Sequence, residues 1–486
     1  MRILALNPPF HNRFSREMRS PAVTKSGTLY YPMWLAYAVG ALEKAGHSVL
    51  FIDAPALCID SVAVIEKARH FRPELVLMDT STPSIYNDIH VAGELKAAFQ
   101  DLFTILVGPH VSAEPEDTLN HSNFVDAVAI GEYDDTVLEL VSALEKRVDI
   151  STVQGLAYKK DGAVVRTGVR QYMSDLDSIP FVSSVYKKHL DHTHYFYGHS
   201  LHPIIVTVTG RGCPFLCTYC VYPQTMHGRK YRFRSVENVV AEFEYIHKNF
   251  PDAREIMIED DTLTVNRERC RELSRQLIER KLNTIPWSAN SRADVDYETM
   301  ALMRKAGCRL FCVGFESGDQ AILDNIKKGT KLDKIRQFAK DARRAGIMIH
   351  GCFMVGNRGE TRETLKKTLD FAIELNPDTA QFFPIMVYPG TDDYEWVRER
   401  GFLVSQDFSK WVTDKGLHNS VVSNPDLTFQ ELVNFCDESR KKFYLRPAYM
   451  WLKLKQSIFN PAEGLRNLKA FKVLVKHLLR APIYKQ

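Results

Sequence analysis

The chain has 486 residues, 45% of them hydrophobic and 25% charged, with nine cysteines and a formal net charge of +4. This length predicts two or three globular domains, and the absence of an apolar run of about 18 residues or of a signal peptide predicts a cytoplasmic protein with free cysteines rather than disulfides. Twelve Lys or Arg and a single acidic residue fall after position 439, so the body of the chain is acidic, which argues against nucleic acid as a partner.

The first 150 residues alternate short apolar runs with amphipathic stretches. The runs occupy residues 3–6, 49–52, 75–78, 104–107 and 127–130. Continuous apolar strands separated by helices predict a parallel sheet covered on both faces, which is a doubly wound, Rossmann-like domain over residues 1–150. Ligands of such domains bind beyond the carboxyl ends of the strands. Small and polar residues stand there, where they suit either turns or a large ligand: Asn7, Asp53, Thr80, Ser81, Gly108, His110, Gly131 and Glu132.

Residues 151–202 predict a hairpin around Lys160-Asp161-Gly162 and then a histidine-rich linker. We expect the linker to border a substrate entrance, and a metal held by His192 and His194 is the alternative. Further apolar runs follow at 204–209, 255–259, 284–289, 310–315, 348–355 and 379–387, separated by helical stretches. They predict a partial (β/α)6 barrel of the TIM type over residues 203–394, with its active site at the C-terminal ends of the strands.

Three cysteines follow the first predicted barrel strand. Cys213, Cys217 and Cys220 have the spacing C-x3-C-x2-C. Thiolates are the usual ligands of iron–sulfur clusters, and three of them leave one iron of a four-iron cubane open to another ligand. One alternative is zinc, with Cys270 or His227 as the fourth ligand, although neither has the paired spacing of a structural zinc site. The other alternative is three inert, buried cysteines.

This cysteine loop, with the aromatic Tyr219 before its last cysteine, resembles the radical SAM superfamily. The resemblance implies a [4Fe–4S] cluster whose open iron chelates S-adenosylmethionine (SAM), and reductive cleavage of SAM to a 5′-deoxyadenosyl radical. The segments that follow the later barrel strands match those of the superfamily in order. The one departure is Arg358, which replaces the usual proline in the segment after the fifth strand. The residues implied as SAM contacts are Tyr219, Asp260, Asp261, Ser291, Arg292, Gly314, Glu316 and Ser317.

A doubly wound domain before such a barrel resembles the cobalamin-binding branch of the superfamily, and this resemblance covers residues 1–395. Gly108-Pro109-His110 and Gly131-Glu132 are typical of that branch, so the strand ends of the first domain are implied as cobalamin contacts. The spacing D-x-H-x-x-G, which supplies a histidine to cobalt in many cobalamin proteins, occurs only at Asp88–Gly93, beside a predicted helical stretch rather than at a strand end. A domain that no longer binds corrin is the alternative. His11 and His110 either approach the cofactor or are ordinary surface or packing residues.

The resemblances imply transfer of a methyl group from methylcobalamin to an unactivated carbon of a small-molecule or lipid-like substrate, with a flavodoxin or ferredoxin as reductant. Oxidation or ring formation, as in the anaerobic magnesium-protoporphyrin monomethyl ester cyclase, is one alternative. A non-catalytic carrier of corrin or cluster is another. Cys308, Cys312 and Cys352, on or near barrel strands, are either buried or provide a second cluster or a hydrogen-donating thiol.

Residues 395–486 are predicted to be mainly helical and basic. The last helix either docks on the body with solvated lysines or lies on an anionic membrane surface as a peripheral contact. Its apolar and basic positions are Leu465, Leu468, Lys469, Phe471, Lys472, Val475, Lys476, Leu478, Leu479 and Arg480.

Overall fold

The structure, a computed structural model, describes residues 1–478. Its N-terminal part is built on one sheet whose strands are β1 (Arg2–Asn7), β2 (Ser48–Asp53), β3 (Leu75–Asp79), β4 (Phe103–Val107), β5 (Ala127–Ala129), β6 (Leu156–Lys160) and β7 (Ala163–Arg166). The helices are α1 (Met33–Lys44), α2 (Ala54–Leu57), α3 (Ser61–Arg69), α4 (Ile85–Ala98), α5 (Pro109–Ala113), α6 (Pro115–His121) and α7 (Asp134–Lys146).

The sheet order is β2-β1-β3-β4-β5-β6-β7, and β1 to β5 are parallel. The apolar runs bury these strands between helices, so the predicted doubly wound fold is confirmed. The hairpin continues the same sheet, because β6 pairs antiparallel with β5. The following segment contains an additional helix, α8 (Val182–His189), which packs on α1.

The second sheet has six parallel strands in the order β15-β14-β13-β12-β11-β8, which confirms the partial barrel. The strands of this region are β8 (Ile204–Thr207), β9 (Gly210–Arg211), β10 (Arg232–Phe233), β11 (Glu255–Ile258), β12 (Trp287–Ser291), β13 (Cys308–Glu316), β14 (Met348–Val355) and β15 (Thr379–Pro384). The helices are α9 (Val221–Thr225), α10 (Val236–Asn249), α11 (Arg267–Glu279), α12 (Tyr297–Lys305), α13 (Gln320–Asn325), α14 (Leu332–Ala345), α15 (Arg362–Leu375) and α16 (Asp392–Glu399).

Two details of the barrel differ from the sequence expectation. Strand β12 begins at Trp287 rather than at residue 284, directly after Pro286, which has no N–H for a strand ladder. The short strands β9 and β10 form a separate antiparallel ribbon, with Arg211 opposite Arg232. This ribbon frames the cysteine loop, which lies between its two strands in the sequence.

The C-terminal region closes the open side of the barrel. Residues 401–423 are irregular, and their 3-10 turn, Phe408–Trp411, packs on the turn Thr82–Ser84 of the N-terminal domain. Three helices follow, and the first of them lies against β15: α17 (Phe429–Tyr444), α18 (Pro447–Phe459) and α19 (Pro461–Leu478). Leu479, Arg480 and the side chains of Val475, Lys476 and Leu478 lie outside what the structure describes. Within residues 1–478, no helix has the length and apolar character needed to cross a bilayer.

Candidate active site

The cysteine loop faces one large cavity. Cys213, Cys217 and Cys220 all line this cavity, which has a volume of about 1800 Å³ and extends through the barrel to helices α17–α19. The three thiols are free of disulfides. Gly212 turns the chain into the loop with φ +88°, and a Cβ at this position would collide with the carbonyl oxygen of Lys230. Burial raises the pKa of Cys213 to about 11, so binding of a metal by this thiol would release its proton.

The spacing of the loop sulfurs fits a multi-iron cluster better than a single ion. Two sulfurs on one zinc lie at most about 4.6 Å apart, because each Zn–S bond is about 2.3 Å. Within residues 1–478, the one group of three Cys, His, Asp or Glu ligand atoms within 4.8 Å of one another is Cys312, His350 and Cys352. At least two of the loop sulfurs are therefore farther apart than a shared zinc allows. The proposed fourth ligands are also engaged elsewhere, since Cys270 donates to Leu263 O and His227 Nδ1 lies 3.1 Å from Asp261 Oδ2.

The two aspartates after β11 support the loop in different ways. Asp260 is fully buried and accepts hydrogen bonds from Thr209 N, Thr209 Oγ1, Gly210 N and Tyr231 OH at 2.5–3.1 Å. It does not line the cavity, so its contacts in the structure are those of a loop anchor. Asp261 does line the cavity, and its Oδ2 accepts from Gly212 N at 3.1 Å.

A buried network surrounds Glu316 at the end of β13. Tyr219 OH donates to Glu316 Oε1 at 2.9 Å, and Lys328 Nζ donates to the same oxygen at 2.7 Å. Burial would lower the pKa of Lys328, but the carboxylate of Glu316 raises it above its usual value. A Cβ on Gly314 would collide with Glu316 Oε1, so glycine is required for this arrangement. All four residues line the cavity beside the cysteine loop.

The remaining predicted SAM contacts divide between cavity and core. Ser291 and Arg292 line the cavity, and the Arg292 guanidinium lies 3.5 Å from the ring centroid of Phe215 in the cysteine loop. Ser317 instead shares a hydrogen bond with Thr368 Oγ1, 3.1 Å away, and does not line the cavity. Six of the eight predicted residues thus border one space, namely Tyr219, Asp261, Ser291, Arg292, Gly314 and Glu316.

The N-terminal domain contributes an arginine that sequence reasoning missed. Arg19, in the loop between β1 and α1, lines the cavity and pairs with Glu259 Oε1 at 2.6 Å. Asn290 Nδ2 also donates to that oxygen, at 3.1 Å. Arg19, Asn290 and Lys328 carry no local motif; only their positions at loop or strand ends could have suggested them.

The carboxyl edge of the first sheet holds buried polar atoms without a partner in the described chain. They are Asp79 Oδ2, His110 Nε2 and Tyr133 OH, which follow three neighbouring strands. Burial raises the pKa of Asp79 to about 8 despite the nearby Arg16, and burial lowers the pKa of His110 to about 3. Burial thus favours the uncharged form of both groups. A neutral, polar ligand such as the amide-rich periphery of a corrin suits this set.

Most of the predicted cobalamin contacts already have partners within the protein. Asn7 donates to Asp53 at 2.8 Å, Thr80 donates to Val107 O, and Ser81 bonds Ser84. Gly108 has φ +118°, and a Cβ there would lie 2.7 Å from Thr80 O.

Three further predicted contacts have partners close to the barrel and to the C-terminal segment. Glu132 pairs with Arg232 of the barrel, and Gly131 N donates to Ser112 Oγ at 3.0 Å. His110 Nδ1 lies 3.2 Å from Thr82 Oγ1, and its ring packs against Phe408, 5.0 Å away between centroids. The C-terminal segment thus covers this edge.

Comparison with known proteins places these features in a family. Residues 207–372 match the model of the radical SAM superfamily, and residues 19–141 match that of the B12 binding domain. A protein of Pyrococcus horikoshii described as an uncharacterized methyltransferase is 31% identical over 92% of this chain and 93% of its own length. The chain belongs to the B12-binding branch of the radical SAM superfamily. As a radical SAM enzyme of this branch, it uses a [4Fe–4S] cluster, SAM and cobalamin.

Other relatives of this radical SAM enzyme include both methyltransferases and cyclases. The anaerobic magnesium-protoporphyrin IX monomethyl ester cyclase of Rubrivivax gelatinosus is 28% identical over 93% of this chain and 78% of its own. The structure of the radical SAM methyltransferase TsrM from Kitasatospora setae matches with a TM-score of 0.71 at 18% identity, over 92% of this chain and 90% of that one. At that identity the match concerns the fold, and it agrees with the domain order described above.

The histidines of the linker do not form a common metal site. His192 Nε2 lies 2.9 Å from Asp252, whereas His194 lies 3.6 Å from Asp191. His199 does line the cavity, where its ring stacks on that of His350 at 4.5 Å between centroids. The linker thus borders the cavity.

Proposed function

We propose that this radical SAM enzyme methylates an unactivated carbon of a large, lipid-like small molecule. The observation that carries the proposal is the single cavity that joins the cysteine loop, the strand ends of the barrel and helices α17–α19. Its volume of about 1800 Å³ exceeds the roughly 300–1,000 Å³ of ordinary ligand pockets. Such a space accommodates SAM together with an extended substrate.

The residues at the cluster end have distinct roles in this proposal. Cys213, Cys217 and Cys220 hold the cluster, while Glu316, paired with Lys328, accepts hydrogen bonds from polar groups of SAM. When bound, the cluster and SAM supply a 5′-deoxyadenosyl radical, and methylcobalamin supplies the methyl group. The cavity wall is mostly apolar, and apolar surroundings help to protect a radical from quenching. An electron donor of the flavodoxin or ferredoxin type completes the scheme.

Anaerobic protein with reconstituted cluster and added cobalamin, incubated with SAM and dithionite, tests the chemistry. We expect 5′-deoxyadenosine, its loss in Cys217→Ala, and a corrin spectrum that survives desalting. With Cys58→Ala as a matched control, an exposed cysteine that does not line the cavity, production should persist. If cluster-loaded protein makes no 5′-deoxyadenosine even with candidate lipids present, the radical mechanism is contradicted. If it makes 5′-deoxyadenosine but retains no corrin, methylation through cobalamin is contradicted.

Oxidative ring formation is the second candidate, and it is favoured by the cyclase relatives, which are 28% and 29% identical over at least 93% of this chain. Trideuteromethyl-labelled SAM separates the two reactions. Methyl transfer places the label in the product, whereas cyclisation removes hydrogen from the substrate and leaves the product unlabelled.

We further propose that the substrate enters from an anionic membrane surface. Exposed apolar side chains crowd α18 and α19, where Phe459 is 85% exposed and Trp451 58%. Lys441 of α17 and Lys469 and Lys472 of α19 also line the cavity and form no ion pair within the described residues. Aromatic and apolar groups beside unpaired lysines fit the interface of anionic lipid.

Vesicle co-sedimentation tests this surface with the complete holoenzyme. We expect binding to phosphatidylglycerol vesicles, weaker binding to phosphatidylcholine vesicles, and loss of binding in Trp451→Ser/Phe459→Ser. Val169→Ser is the matched control, because Val169 is 86% exposed on another part of the molecule. Equal sedimentation of wild type with and without vesicles would contradict the membrane contact.

A further inference from the structure

A second cluster of metal-ligating side chains lies inside the barrel, apart from the cysteine loop. Cys312 is on β13, and His350 and Cys352 are on β14. One ligand atom from each lies within 4.8 Å of the other two, and all three residues line the cavity. We propose that these three residues bind one zinc ion, which leaves a coordination position open to the substrate.

The strand register explains why the three side chains meet. Cys312 pairs with His350 across β13 and β14, and Gly314 pairs with Cys352. Residues two apart on a strand point to the same face, so His350 and Cys352 both project into the barrel beside Cys312. Gly314 has no side chain that could separate them.

The surroundings of His350 are those of a metal ligand. Its Nδ1 lies 2.7 Å from Thr379 Oγ1 on β15, which fixes the orientation of the ring. A contact of this kind to an oxygen typically orients a metal-ligating histidine and strengthens its other nitrogen as a ligand. The ring also stacks on His199, whose buried Nε2 has no hydrogen-bond partner in the described chain.

The donor set selects the metal and its charge. Two thiolates and one imidazole favour zinc, and sites with three protein ligands and an open fourth position are typical of catalytic rather than structural zinc. On binding Zn²⁺, the two thiols release two protons, and the resulting complex of two thiolates, one neutral imidazole and one dication carries no net charge. A neutral complex avoids the cost of a buried, uncompensated ion.

The position of this site relative to the cluster end suggests its purpose. Glu316 pairs with Phe353, the residue after Cys352, and Cys312 lies four residues before Glu316, so the zinc sits within roughly 13 Å of Glu316 along the strands. An oxygen, nitrogen or sulfur donor of the substrate on the open position would hold the molecule at this depth while another of its carbons faces the cluster end. This substrate role rests on the proposed function; zinc binding itself does not.

Metal analysis of the anaerobic holoenzyme with its full complement of iron tests the site. We expect about one zinc per chain after desalting, and zinc-edge X-ray absorption with two sulfur neighbours at about 2.3 Å. Cys312→Ser/Cys352→Ser should lose the zinc and keep the iron, and His350→Gln should weaken zinc retention. Cys436→Ser, a buried cysteine on α17, should keep both metals.

Several outcomes would overturn the proposal. They are the absence of retained zinc in iron-loaded wild type, an unchanged zinc content in the double variant, and an absorption edge without sulfur neighbours. The iron content of the same samples reports whether the protein is folded. If the double variant loses both metals, the zinc content of His350→Gln decides the question, because this variant keeps the cysteine loop and both thiols. Failure of SAM cleavage alongside normal zinc would contradict the proposed function only.

Discussion

Glu316 is the carboxylate around which the cluster end of the cavity is organised, and Lys328 is its only cationic partner within the described residues. The Lys328 and Glu316 side chains are 10% and 6% exposed, so the pair is largely removed from water. A carboxylate that loses such a partner stays buried without compensation, or becomes protonated.

We therefore expect Lys328→Met to lower the free energy of unfolding by about 3–5 kcal/mol and to weaken SAM binding. Denaturant unfolding of the protein and equilibrium dialysis with SAM measure the two effects. Lys327→Met is the matched control: Lys327 is exposed, 3.6 Å from Asp392, and its loss should cost at most about 1 kcal/mol. Similar losses in both variants would argue against the importance of the buried pair.

For single residues, the sequence predicts site residues that lie together in one short segment. It misses residues that reach the site from distant parts of the chain. Cys213, Cys217 and Cys220 could be recognised because their spacing lies within one loop. Arg19 could not be recognised, because it reaches Glu259 from a position 240 residues earlier in the chain. The sequence places Asp260 just after a barrel strand, but only the structure shows that its carboxylate accepts hydrogen bonds from Thr209 and Gly210.

Among the elements, the irregular segment 401–423 has the largest effect on access to the first domain. Its turn Phe408–Trp411 covers the strand-end groups around His110. Trp411 is fully buried, donates from Nε1 to Ser405 O at 3.1 Å and packs edge-on against Phe408. The tryptophan therefore holds the covering turn in shape.

We expect Trp411→Ala to reduce the free energy of unfolding by about 3–5 kcal/mol and to speed cobalamin uptake by corrin-free protein. Visible spectra recorded after mixing with cobalamin give the rate. Trp396→Ala on α16 removes a tryptophan away from this edge and should leave the rate of uptake unchanged. Uptake as slow in Trp411→Ala as in wild type would show that the turn does not limit entry.

The strands were easier to predict than this segment for a physical reason. Each parallel strand is a continuous apolar run, because both faces of its sheet are covered. A few neighbouring residues are therefore enough to predict it. Residues 401–423 have no periodic pattern and owe their conformation to contacts with positions more than 300 residues away, such as Ser20 with His418. The additional helix α8 was missed because eight residues give a weak periodic signal.

In the whole molecule, buried ion pairs join the first domain to the barrel. Arg211, two residues before Cys213, pairs with Asp134 of α7 at 2.6 Å and lies over the rings of Trp34 and Tyr37 of α1. Arg232 pairs with Glu132 beside it. The position of the cysteine loop is thus tied to the N-terminal domain.

Arg211→Met should lower the free energy of unfolding by about 3–5 kcal/mol and reduce iron retention, because Asp134 is left buried and unpaired. Hydrogen exchange should rise in both domains together, and adding Asp134→Leu should restore part of the loss. Arg166→Met, which breaks the exposed pair with Glu116, should cost at most about 1 kcal/mol. Increased exchange confined to one domain would contradict this coupling.

The same ion pairs limit how such enzymes can be recombined. A chimera that joins this barrel to the cobalamin domain of a relative would place Arg211 and Arg232 opposite whatever stands at positions 134 and 132. Without carboxylates there, two cations would be enclosed without partners next to the cluster loop. The two domains are therefore best engineered as one unit, and a cofactor domain joined to this barrel must carry carboxylates at positions 132 and 134.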